Sequence, residues 1–260
     1  MRRIMLGVAA AIGATTLLDA TGYTALSALP LIPLLFVLAW LDRLSLKDVG
    51  IRFGSGEHYS FAVAHPLFVL GAIAATAQAF GALDLSGFDP GKALANIALL
   101  AAATFVMAIV TEEGFFRGWL WAALGRRGAS PLTVLLGTTA AFVLWHVSFV
   151  FLSGEFGFAT ADVPLFFANA TLLGLIWGLL RLGSGSIIVS SLGHGVWNGL
   201  VYVLFGVGSN VGALGIREVA LYGPEVGMLG VLFNGLSAAV LFWAFRAHFE
   251  PASRPIPVTP

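Results

Sequence analysis

The chain has 260 residues, 58% of them hydrophobic and 10% charged, with a mean hydropathy of +0.94. Soluble domains carry about 25% charged residues, so an ordinary soluble domain is excluded. Thirteen basic and 13 acidic residues balance to zero net charge, which leaves no footprint for nucleic acid, and the absence of cysteine rules out thiol catalysis, disulfides and thiolate metal sites.

The apolar stretches are solid blocks near helical-span length, roughly 20 residues each, and lack the short alternation of a membrane barrel. The expected fold class is all-α, a multipass transmembrane bundle of about eight helices. In chain order the segments lie near 4–20, 22–41, 59–82, 94–115, 131–152, 164–181, 186–206 and 225–246. The first follows Arg2-Arg3 and has signal-peptide character, but no small-x-small cleavage site follows it, so a retained helix is expected. Between the second and third segments, Leu41–Ser60 is a polar insert expected at headgroup level. The segment that starts at 94 is too long for a simple span and should project beyond the bilayer or break near Gly125. The four-proline tail, Pro251–Pro260, is expected to be disordered.

Basic residues set the orientation. With the N-terminus inside, Arg2, Arg3, Arg43, Lys47, Arg52, Arg126, Arg127, Arg181, Arg246 and Arg254 are inside, against Lys92 and Arg217 outside. This predicts eight spans with both ends cytoplasmic, in the cell membrane.

Three short motifs place polar groups inside apolar segments: Glu112-Glu113-Gly-Phe-Phe-Arg117, Phe142-Val-Leu-Trp-His146 and His194-Gly-Val-Trp-Asn198. Ionisable groups are costly at membrane depth, so each is a functional-site hypothesis. Glu112 and His146 lie on either side of the Gly125–Gly128 turn at distances that differ by about one helical turn, and His194 and Asn198 enter from the same side. All should share one layer, in the cytoplasmic half to middle of the membrane, with the site opening to the cytoplasm. Glu113 and Arg117, spaced i, i+4, face one another, whereas Glu112 is rotated away by about 100° and stays less compensated. Such a carboxylate suits a general base. Against this stands a structural reading, a Glu-Arg pair with a snorkelling second Glu. His194 and Asn198, also i, i+4, point into one cavity and could hold an oxyanion. Phe142 should pack on His146. The glycine pairs Gly114/Gly118, Gly174/Gly178 and Gly195/Gly199 read as helix packing. His65, before Pro66, should cap or kink its helix; Asn169, Asn234 and Gln78 should be interhelical donors; His58, His248 and Asp162 should face solvent. Zinc-helix, nucleophile-elbow, aspartyl and serine intramembrane signatures do not occur, which leaves a glutamate-histidine site.

The ordered set resembles the signature of the CPBP family, the CAAX prenyl protease and bacteriocin-processing group also called Abi: Glu-Glu-x-x-x-Arg, Phe-x-x-x-His, His-x-x-x-Asn/Asp. The resemblance covers roughly 94–206 and divides the chain into N-terminal transmembrane helices and interfacial loop (1–93), a CPBP-like core (94–206), and a C-terminal helix and tail (207–260). It implies a CAAX-protease-like intramembrane endopeptidase. Glu112 and His146 would activate water, His194 and Asn198 would stabilise the oxyanion, and Glu113 and Arg117 would support them. Members are often called metalloproteases, and a divalent metal such as zinc on Glu112, His146 and His194 is one option. A metal-free glutamate peptidase is the other, favoured because ligands on separate helices carry no spacing that selects zinc. The implied partner is a peptide or membrane-protein substrate in a lipid bilayer, with no reason to assume a prenylated one. The alternatives are a non-catalytic partner or bacteriocin-immunity protein that retains the same network, and, below it, a proton-coupled carrier, which would need repeat symmetry this chain lacks. Oligomeric state is not encoded in these features.

Overall fold

The structure is a computed structural model that describes residues 1–153, 160–208 and 210–250. It is an all-α multipass bundle. Seven helices among the described residues are long and apolar enough to cross a membrane: α1 (Arg2–Ala20), α2 (Thr24–Leu41), α3 (Gly56–Ala79), α4 (Pro90–Gly125), α5 (Pro131–Leu152), α6 (Val163–Ser184) and α7 (Ile187–Phe205). The eighth expected segment is the shorter apolar helix α8 (Met228–Ala244). Between α7 and α8, β1 (Gly206–Val207) and β2 (Asn210–Val211) form a small antiparallel pair. The expected tail disorder at Pro251–Pro260 lies outside the described residues.

Local chemistry explains the boundaries. Asp89 and Ser130 cap the first turns of α4 and α5, each followed by proline at the first helical position, where its missing N–H is no loss. Ser186 caps α7 in the same way, and Gly185 ends α6 at φ 66°, the left-handed geometry that glycine tolerates. Its open face receives the Arg52 guanidinium, whose Nε donates to the Gly185 carbonyl at 2.8 Å. The polar insert folds into a short helix, Leu46–Val49, held by a Ser45–Asp48 capping box. One end of the bundle thereby gathers much of the charge. Arg3 pairs with Asp42 at 2.6 Å, Arg126 pairs with Asp48 at 2.9 Å, and the Trp119 indole N–H donates to Asp42 at 2.9 Å.

Helix α4 ends at Gly125 as expected, but its winding changes well before that. A regular helix stops at Val110, Thr111 takes φ −112° and ψ −107°, and Glu113–Leu120 continues as wide π-type turns before Trp121–Gly125. The end of α7, Val201–Phe205, is wound in the same wide way. Such segments are rare, and they occur frequently at functional sites. The two helices press together through glycine. A methyl group on Gly195 would lie 2.7 Å from the Ala101 carbonyl O, and one on Gly199 would lie 2.9 Å from the Ile97 carbonyl O. Phe115, Phe116, Trp119 and Trp197 fill the interior with no exposure.

Candidate active site

Thr111 is where α4 leaves regular geometry, so the next two carboxylates are presented on wide turns facing α5, α6 and α7. Glu113 and Arg117 are completely buried and lie 3.3 Å apart (Oε1–Nη1). Arg117 also donates from Nη2 to the Gly174 carbonyl at 3.2 Å. Its guanidinium lies 4.3 Å from the Phe142 ring centroid. Phe142 thus does more than the expected packing on His146: it is a π platform for a buried cation.

His194 bridges the pair to the cavity. Its Nδ1 is 3.4 Å from Glu113 Oε1 and its Nε2 is 4.0 Å from Glu112 Oε2. The ring stacks on Trp177 at 3.9 Å with an 11° interplanar angle, which fixes its plane. A carboxylate only accepts, so Nδ1 carries a hydrogen and Nε2 is the atom left for the cavity. His146 is fixed by the same logic. Its Nδ1 donates to the Phe142 carbonyl at 2.9 Å, so in the neutral ring the Nε2 lone pair is free.

Glu112, His146, His194 and Asn198 line a single cavity of about 200 Å³. That is room for several waters, or for one water beside a peptide group. Glu112 keeps 19% of its side-chain exposure, whereas Glu113 keeps none, as the i, i+4 argument expects. The structure therefore brings all six motif residues together, four on the cavity and two behind it.

One expectation needs correction, and the shared layer is present. The cavity wall includes Thr24, Ala25 and Ala28 at the α1–α2 turn, Phe166 near the start of α6, and Glu225. These belong to the end of the bundle opposite the Gly125–Gly128 turn, and Ala25 is exposed there. His65 does not cap a helix end: it lies buried within α3, its Nε2 3.0 Å from Asn234 Oδ1 and its ring stacked on Trp197.

Among the described residues no group of three His, Cys, Asp or Glu side chains stands close enough to hold a metal ion. Both histidines direct Nδ1 to an oxygen acceptor and keep Nε2 toward the cavity.

Asn169 and Asn234 are the interhelical partners expected of them, Asn234 Nδ2 donating to Asn169 Oδ1 at 3.0 Å. His58 is half-buried, with Nδ1 2.7 Å from Ser55 Oγ at the start of α3, so it is not simply solvent-facing. His248 is exposed and Asp162 is half-buried. Sequence reasoning missed Glu225, Tyr202 and Trp177 on the cavity wall. Glu225 offered one signal, an acid directly after Gly-Pro at the edge of an apolar helix.

Residues 94–200 match the family model described as type II CAAX prenyl endopeptidase Rce1-like. All three motifs fall inside that span. A comparison with curated proteins finds no match.

Proposed function

Taking as premise that residues 94–200 form an Rce1-like type II CAAX prenyl endopeptidase segment, we propose that this multipass membrane protein is an intramembrane endopeptidase with a glutamate-histidine site. The observation that carries this reading is the convergence of Glu112, His146, His194 and Asn198 on one cavity, with Glu113 and Arg117 neutralising each other behind it. A water between Glu112 and His146 loses a proton to the carboxylate or to the His146 Nε2 lone pair as its oxygen attacks the peptide carbonyl carbon. The negative charge then forms on the carbonyl oxygen, where the Asn198 amide N–H and a protonated His194 Nε2–H donate to it. Collapse breaks the C–N bond, and the held proton passes to the leaving amine. The reading is metal-free.

With the basic loops inside, the cavity mouth at Ala25 faces the extracytoplasmic side, so the substrate is a peptide or membrane-protein segment approached from that face.

Purified protein should hydrolyse a peptide substrate, with and without chelator. Glu112→Gln and His146→Ala should each reduce turnover by at least ~100-fold, the scale of a lost acid-base group, while thermal unfolding in detergent shows a folded chain. Full activity in either variant removes the assignment. A Glu112→Gln protein with undiminished biological effect would instead mark a non-catalytic partner.

A further inference from the structure

Glu225 is a second carboxylate on the cavity wall, contributed by the segment between α7 and α8 and not used by the hydrolytic chemistry above. It is firmly held. The buried Trp197 indole N–H donates to Glu225 Oε1 at 3.2 Å, and Asn169 Nδ2 donates to the Glu225 main-chain carbonyl at 3.1 Å. Asn169 is fixed by Asn234 and Asn234 by His65, whose ring stacks on that same Trp197 at 5.3 Å and 3°. Three polar residues and a tryptophan from α3, α6, α7 and α8 therefore close a ring around one glutamate.

Among the described residues no lysine or arginine pairs with Glu225, whereas Glu113 has its own arginine. The surrounding wall is largely aromatic, with Phe142, Trp145, Phe166 and Trp177. A half-buried carboxylate without a counter-cation is unfavourable, and a cation brought by a ligand would offset that cost. Burial holds the Glu225 carboxyl above the usual carboxylate range, although the Trp197 N–H and His194 pull the other way. An arriving cation would favour the ionised form.

We propose that Glu225 is a specificity subsite that receives a cationic group of the substrate, a lysine or arginine side chain or a free amino terminus near the scissile bond. The subsite rests on the endopeptidase reading for its role, but its binding preference is measurable without turnover. Full-length Glu112→Gln protein in detergent would be titrated with synthetic apolar decapeptides in which lysine or norleucine is placed at successive positions. Each peptide would be made with a free or acetylated amino terminus, and tryptophan fluorescence would report occupancy beside Trp197.

The expected result is tighter binding, by about tenfold, of the lysine peptide over its norleucine counterpart at one position, the scale of a modest buried charge pair. If the cation is instead the amino terminus, acetylation removes the preference whatever the lysine position. Adding Glu225→Gln should bring the ratio near one, Glu225→Asp should keep part of it, and Glu225→Arg should invert it in favour of the norleucine peptide. A ratio near one in the Glu225-containing protein, or one unchanged by Glu225→Gln, overturns the subsite. Absence of hydrolysis by the unmodified chain alongside an intact binding ratio overturns the endopeptidase reading and leaves the subsite standing.

Discussion

Arg117 shows how much of the site depends on one desolvated cation. It has no exposure, faces Glu113, touches the Gly174 carbonyl and lies over Phe142. Removing it leaves Glu113 as an uncompensated buried charge, a loss of about 3–5 kcal/mol for pairs of this kind. Arg117→Ala should therefore lower the unfolding temperature in detergent sharply and abolish activity. Arg117→Lys should recover only part of the stability, because an ammonium cannot reach a carboxylate and a carbonyl while keeping a planar face on an aromatic ring. A lysine variant as stable and active as the parent would show that Arg117 is a simple counter-charge. The pairing of Glu113 with Arg117 and the separate face of Glu112 were legible from helical spacing. The Phe142 platform was not, because it depends on how α5 rotates against α4, and spacing within one helix is silent on that. Glu225 was less legible still, since it reaches the cavity from a connecting segment with no periodicity.

Among the helices, α4 and α7 matter most, since one carries Glu112 and the other carries His194. Their contact was readable as small residues four apart, and the reading as packing holds: Gly195 and Gly199 lie against α4 backbone with no room for a methyl group. Gly199→Leu should force the pair apart, destabilising by about 1–3 kcal/mol or more, as overpacking does. Glu112 would move away from His194 and turnover would fall. Gly71→Ala is the control, because nothing lies within 4 Å of the added carbon there; unfolding temperatures and cleavage rates of both variants decide the matter. Equal behaviour of the two would mean that the close approach has no role. The wide turns at Glu113–Leu120 and Val201–Phe205 could not be read from the sequence. Apolar composition reports that a helix exists, whereas its local winding is set by the tertiary contacts that compensate the displaced hydrogen bonds.

At the scale of the whole molecule, the helical-bundle class followed from composition alone, and segment limits agree with the helices within a few residues, except at α4. The proposed outward-facing mouth has a direct test, and the absence of native cysteine makes it clean. Single cysteines at Ala25 and Glu57, both exposed, sit at opposite ends of the bundle. A membrane-impermeant maleimide should label Ala25→Cys in intact cells or spheroplasts and Glu57→Cys only after permeabilisation. The reverse pattern would turn the mouth to the cytoplasm. The α1–α2 turn beside that mouth also bears on the surrounding lipid. The regular part of α2, Leu31–Leu41, has 11 residues and rises about 16 Å, and the tighter winding that starts at Thr24 supplies the rest of the span. Repacking of those tighter turns would therefore change how far this helix reaches across the bilayer.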